Sequence, residues 1–179
     1  MATAERLDPS PFTGEGRQRD ALTGRGHSSA RLLALLVPAA LLAGALGSQY
    51  LGGLVPCEMC HWQRWPHYAA LGLALAAFAV RGDAGRSFTL LAALAMIASG
   101  LIGAYHAGVE LGIFEGITSC AATTGGGTSQ EILANIVATP LIRCDAVQFA
   151  FLGVSMAGWN AILSLGFGGL ILWLISRAR

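Results

Sequence analysis

Charge is the scarcest property of this sequence. Only 12% of its 179 residues are Asp, Glu, Lys or Arg, about half of the roughly 25% usual in a soluble domain. Lysine is absent altogether, so all 11 basic residues are arginines. The formal net charge is +1, and no basic stripe is visible, which argues against a nucleic-acid partner. With 54% hydrophobic residues and a mean hydropathy of +0.59, the composition points to a membrane protein. The length suits one compact domain. Cysteine is sparse too: Cys57, Cys60, Cys120 and Cys144 form two separated pairs.

Apolar periodicity is missing from residues 1 to about 29, a stretch rich in Gly, Ser, Thr, Pro, Arg and Asp. Such a composition cannot bury enough surface to fold by itself. Residues 1–30 therefore read as a disordered cytoplasmic tail, and 31–179 as the domain. Four long apolar segments follow, at about Leu32–Tyr50, His61–Val80, Phe88–Ala107 and Phe149–Ile175. Each can supply the roughly 20 residues of a membrane span. The first is too long, and its leader too extended, for a cleaved signal peptide.

Arginine placement orients these spans. Arg6, Arg17, Arg19, Arg25 and Arg31 precede the first, Arg81 and Arg86 lie between the second and third, and Arg177 and Arg179 follow the fourth. In a four-span arrangement these nine share one side, which the positive-inside rule makes cytoplasmic. Both termini are then inside, and the loops around 51–60 and 108–148 are outside. The chain crosses twice between Cys60 and Cys120, so all four cysteines face one compartment. In a bacterium that is the periplasm, across the inner membrane, where disulfides persist.

The second external loop, about 108–148, is long enough to suggest function. After the flexible Gly125-Gly126-Gly127, Thr128-x-x-Glu131 has capping-box form, and Ile132, Leu133, Ile136 and Val137 follow at helical spacing. A helix ending before Pro140 is too short to span. It reads as an amphipathic surface helix, with a helix packed within the loop as the alternative. The expected fold is thus an all-α membrane protein, a four-transmembrane-helix bundle with a short amphipathic surface helix in that loop.

Cys57-x-x-Cys60 suits a redox disulfide or half a zinc site. Zinc favours a second pair at similarly tight spacing, whereas 23 residues separate Cys120 from Cys144, so no metal site is expected. Two disulfides, Cys57–Cys60 and Cys120–Cys144, are the simplest arrangement. The second could be a structural staple. The first closes too small a ring to gain much from loop entropy and is better suited to being broken and remade. Pro56 suits a first helical position, which would place Cys57 in the first turn, where the helix dipole lowers a thiol pKa.

Pro66 to Val80 is 15 residues, about 22 Å of helix and short of the roughly 30 Å hydrocarbon core. The second span must therefore start before Pro66. Arg64 then lies in the outer interfacial zone one turn below Cys60, with Trp62, Trp65 and Tyr68 as an aromatic belt. Arg64 and Arg143 are the two arginines outside the positive-inside pattern, and each is near a cysteine whose thiolate it would favour. Either could instead snorkel; for Arg64 a functional role is preferred. His106 and Glu110, four apart at the outer end of span three, are either a helix-end pair or a hydrogen-bonding site for something held between the helix tops. Asn160 needs a partner inside span four. Gly153, Gly158, Gly166, Gly168 and Gly169 read as packing positions.

Three groups of residues carry a family resemblance: Pro56-Cys57-x-x-Cys60-x-x-x-Arg64; Tyr105-His106-x-Gly108-x-Glu110 with Cys120 beyond; and Cys144-Asp145 leading to Phe151-Leu152-Gly153-x-Ser155-Met156 and Trp159-Asn160. In this order, over about Leu32 to Ile175, the chain resembles the disulfide bond formation protein B (DsbB) family of quinone-reducing membrane oxidoreductases. The resemblance implies a soluble periplasmic thioredoxin-fold thiol oxidase of the DsbA type as partner. That partner would attack Cys120, with Cys144 as its mate, and exchange would carry electrons to Cys57–Cys60. Cys60 would meet a membrane quinone, ubiquinone or menaquinone, held near Arg64 with His106 as a neighbour. Exchange of this kind proceeds by thiolate attack through a mixed disulfide, and a fixed cation lowers a barrier where negative charge develops. The long leader and the Gly-Gly-Gly run depart from familiar members; neither removes a reacting group.

Two other readings stay open. A vitamin K epoxide reductase-like enzyme runs similar chemistry, but that family usually carries its quinone-proximal Cys-x-x-Cys late in the chain. A non-catalytic membrane scaffold with structural disulfides would tolerate loss of Cys57.

Overall fold

The computed structural model describes residues 12–80, 82–117, 128–130 and 143–177. Among these, four long helices dominate: α1 (Phe12–Tyr50), α2 (Glu58–Ala79), α3 (Gly82–Glu110) and α4 (Met156–Arg177). α1 packs on α2 and α4, and α3 packs on the same two from the other side. The helices thus form a ring in chain order.

Two corrections concern element boundaries. Helix α1 begins at Phe12, inside the stretch expected to be a disordered tail; residues 1–11 lie outside the described part. Between Pro11 and Pro38 the sequence has no proline, so a helix nucleated in the apolar segment can extend backwards at one hydrogen bond per residue. At the other boundary, the apolar run starting at Phe149 is not helical until Met156. It first forms a hairpin of β1 (Ala150–Phe151) and β2 (Val154–Ser155), paired Ala150 to Ser155 and Phe151 to Val154. Its two turn residues, Leu152 (φ 51°) and Gly153 (φ 77°), both take the left-handed conformation that suits a two-residue hairpin turn. The expected loop helix and its Glu131 fall outside the described residues, apart from the lead-in 128–130.

The helices are apolar outside and small or polar inside, as in a membrane protein. Leu36, Leu75, Phe78, Leu91, Leu101 and Trp173 are exposed, while the core is made of Ala30, Ala34, Ala70, Ala74, Ala92, Ala93, Met96, Ile171 and Ile175. Gly26–Tyr50, Gly82–Glu110 and Met156–Arg177 are long and apolar enough to cross a bilayer. Helix α2 is interrupted by Gln63, Arg64 and His67, although its 22 residues measure about 33 Å.

Glycine lets α3 and α4 approach closely, but at positions other than most of those expected. A Cβ at Gly168 would lie 2.7 Å from Ile97, and one at Gly103 would lie 3.0 Å from both the Ala157 carbonyl and Asn160 Nδ2. Gly166 and Gly169 have open space beside them.

The bundle has two chemically distinct ends. At one, Arg31 lies against Gly85 and Arg86 Nη2 donates to the Ile175 carbonyl (3.5 Å). At the other lie Cys57, Met59, Val109 and Cys144, a second buried cluster with Cys60 and Tyr105 packed on it.

Candidate functional site

Local backbone chemistry positions the cysteine pair. Cys57 caps α2, in extended conformation, and its Sγ accepts the Cys60 backbone N–H at 3.3 Å. One helical turn therefore brings both sulfurs together. Cys57 Sγ lies 3.0 Å from Cys60 Sγ and donates to it, the arrangement of a hydrogen-bonded dithiol. Cys57 is buried and Cys60 partly exposed. The expectation that the helix dipole lowers the Cys57 pKa is overturned: the hydrogen bond to Cys60, then burial, push its thiol up to about 12. A favourable helix end does not offset a proton shared with a neighbouring sulfur inside the protein.

His106, near the end of α3, meets this pair from the side. Its Nε2 lies 3.6 Å from Cys57 Sγ and 3.2 Å from the Cys144 carbonyl. Glu110 is 3.9 Å away, too far for a hydrogen bond, and instead accepts from Ser155 Oγ. His106 therefore joins both cysteine-bearing segments. Cys144 is buried beside them, 7% exposed. Cys120 lies outside the described residues.

Gln63, His67 and Asn160 explain how His106 is held. Gln63 Nε2 contacts the Met59 carbonyl (3.3 Å) and His106 Nδ1 (2.7 Å). Asn160 Nδ2 donates to Gln63 Oε1 (2.8 Å), to the Ser99 carbonyl (3.2 Å) and to Ser99 Oγ (3.1 Å). Asn160 Oδ1 faces His67 Nε2 (2.9 Å) and accepts from Ser164 Oγ (2.9 Å). The two carbonyls of Met59 and Ser99 can only accept, so they fix the orientation of both amides. Gln63 then donates to His106 Nδ1, and the neutral His106 ring carries its proton on Nε2, toward Cys57. Cys57, Cys60 and His106 offer ligand atoms within 4.8 Å of one another, but this polarity makes His106 Nε2 a donor rather than a metal ligand.

Arg64 shares the inward face of α2 with Gln63 and His67 and is only 8% exposed. Its guanidinium donates to Gln49 Oε1 and to the Ala45 carbonyl (3.1 Å) of α1. Among the described residues it has no carboxylate partner. Arg143 differs. It is exposed, and Nε donates to Asp145 Oδ1 at 2.8 Å, which holds that carboxyl below the usual range.

A cavity of about 240 Å³ connects these groups, walled by apolar residues such as Leu41, Leu42, Leu54 and Phe149 together with Cys60, Arg64, His67, His106 and Asn160. Four of the sequence-predicted cysteine and ligand positions, Cys57, Cys60, Arg64 and His106, line it with the predicted Arg143. Asn160, expected only to need a partner, is the hub of the network. Sequence reading missed Gln63 and His67. Their signal was polar side chains four apart in a segment otherwise fit to cross a membrane.

Comparison with known proteins identifies a family. The family model described as disulfide bond formation protein DsbB matches residues 27–174. A disulfide bond formation protein B of Acidovorax sp. (strain JS42) is 34% identical over 159 residues, covering 82% of this chain and 87% of the relative. Its counterpart from Azoarcus sp. (strain BH72) is 32% identical over 152 residues, covering 79% and 87%. An uncharacterised protein of Rickettsia prowazekii is 26% identical over 148 residues, covering 79% and 86%. No solved structure matches.

Proposed function

The chain belongs to the disulfide bond formation protein DsbB family, and from this we propose that it reoxidises a periplasmic thioredoxin-fold thiol oxidase of the DsbA type and passes the electrons to membrane quinone. Its family and its apolar helices make it a disulfide-forming membrane oxidoreductase. The observation that carries the finer reading is a Cys57–Cys60 dithiol opening onto the cavity that the buried Arg64 also lines.

In this reading the reduced partner attacks Cys120 and leaves as a disulfide, reducing the Cys120–Cys144 pair. A thiolate of that pair then attacks the Cys57–Cys60 disulfide, and the second exchange leaves Cys57–Cys60 as the dithiol. Each exchange forms one S–S bond and breaks another, so two electrons and two protons move together. A quinone, ubiquinone or menaquinone, would be held beside Cys60, Arg64 and His106 and would supply the acceptor for the two electrons and two protons that the Cys57–Cys60 dithiol gives up as its disulfide re-forms. The chain's residues fit such a ring: the cavity is mainly apolar, and Arg64 supplies a cation where negative charge develops. His106, donating from Nε2, stabilises charge on Cys57 as its bond to Cys60 forms or breaks.

We take α2 as the fourth span. Its exposed Leu75 and Phe78 suit lipid, and its polar groups face the bundle interior. Arg31 and Arg86 at one end support a cytoplasmic assignment for that end, with both termini inside and the cysteines periplasmic.

The test mixes purified protein with reduced thioredoxin-fold oxidase and quinone and follows quinone absorbance. Reduction is expected, with loss in Cys57→Ser, Cys60→Ser and Cys120→Ser. No reduction by the unaltered protein, or full activity in those variants, would refute the proposal. Arg64→Ala is expected to raise KM for quinone while leaving the rate of partner attack intact.

A further inference from the structure

We propose that His67 Nδ1 is a second contact for the ring in this cavity, one that recognises the reduced, hydroxyl-bearing form. The inference rests on the quinone reading above and extends it to a residue that neither the motif pattern nor the cysteine chemistry requires.

The first observation is an unsatisfied atom. Among the described residues, His67 Nδ1 is the one buried side-chain nitrogen or oxygen without a hydrogen-bond partner. His67 is 3% exposed and forms part of the cavity wall with Arg64 and Cys60. Leaving such an atom unpaired is unfavourable, and a ligand hydroxyl would remove that cost.

The second observation is polarity. Asn160 Nδ2 is committed to Gln63 Oε1 and to the Ser99 carbonyl, so Asn160 turns Oδ1 toward His67. An amide oxygen accepts, and His67 Nε2 must therefore donate to it (2.9 Å). In the neutral ring Nδ1 then carries a lone pair. It can accept from a hydroxyl but offers nothing to a carbonyl oxygen, which itself only accepts. Quinone and hydroquinone differ in just this respect.

The third is placement. His67 follows Arg64 by three residues, about 4.5 Å along the axis and on the same helix face. A cation and a neutral acceptor thus line one wall. The cation suits an oxygen gaining negative charge; the acceptor suits an oxygen that has gained a proton. His67 accordingly acts on the bound product and shifts the ring's redox equilibrium toward the reduced form.

The test measures binding of a short-tailed benzoquinone and of its hydroquinone to full-length protein with Cys57 and Cys60 both changed to Ala, so that no electrons exchange. His67→Phe is expected to weaken hydroquinone binding about five- to tenfold, roughly the worth of one hydrogen bond, with quinone binding changed less than about twofold. His67→Gln, which keeps a donor and an acceptor, is expected to recover most of the loss. In that same double-alanine protein with His67 intact and histidine ¹⁵N-labelled, hydroquinone but not quinone should shift the His67 Nδ1 resonance, a readout that needs no change at His67. Equal loss of both forms, or a resonance that hydroquinone leaves unmoved, would overturn the role of His67. Failure of the parent protein to bind either form would instead overturn the quinone reading beneath it.

Discussion

Proton sharing between two sulfurs decides which cysteine is reactive. Only a thiolate attacks, and its fraction rises tenfold per pH unit until the pKa is reached. Because the bond to Cys60 and burial hold Cys57 up to about 12, its alkylation in the reduced protein should climb without a plateau from about pH 7 to about pH 10. An ordinary cysteine would level off near its own pKa of about 8.5. Removing the larger cause reduces the shift: Cys60→Ala should lower the Cys57 pKa and speed its alkylation at neutral pH. Mass spectrometry of the modified peptide reads both effects, and a plateau for the unaltered protein near pH 9 would contradict them. The Cys-x-x-Cys spacing made the pairing of these sulfurs legible, because one helical turn must bring them together. The direction of the shift was not legible, since it depends on which sulfur faces water and on His106, 46 or more residues away in the chain.

Among the elements, α2 and α4 show what hydropathy can and cannot convey. Apolar length located the helices, and the lone Asn160 announced a missing partner. Its partners, Gln63, His67 and Ser99, sit on α2 and α3, and nothing local in the sequence names them. The hairpin before α4 was hidden for a different reason. Phe149, Phe151 and Leu152 continue the apolar run, and only the backbone at Leu152 and Gly153 reveals a turn. Packing glycines follow the same rule, since composition cannot say which face meets a neighbour. Gly103→Ala would press a methyl against the Ala157 carbonyl and Asn160. Overpacking of about 1–3 kcal/mol outweighs the ~1 kcal/mol that alanine returns in helix propensity, so a net loss of about 1 kcal/mol is expected. Gly169→Ala has open space and should be neutral or stabilising by up to ~1 kcal/mol. Thermal unfolding in detergent compares the two, and the reverse order would show that the α3–α4 contact is misjudged.

For the molecule as a whole, sidedness is the property on which the proposed function depends. If α2 spans, then Leu51 and Ala84 lie on opposite sides of the bilayer. In a background lacking the native cysteines, Leu51→Cys and Gly112→Cys should react with a membrane-impermeant maleimide in cells whose outer membrane has been made permeable. Ala84→Cys should react only after the inner membrane is breached. Labelling of Leu51→Cys and Ala84→Cys from outside, with Gly112→Cys protected, would mean that α2 does not cross while α3 does. Arginine asymmetry is the sequence feature from which this topology is proposed, because charge placement acts at the level of whole loops rather than contacts.

The burial of Cys144 in one cluster with Cys57, joined through His106, also bears on the order of the kinetics. Within the proposed relay, the step between the two cysteine pairs involves groups on one chain at a fixed effective concentration. Diluting the protein and its soluble partner together should slow the first encounter in proportion to concentration. The transfer that follows should keep the same half-life at every dilution.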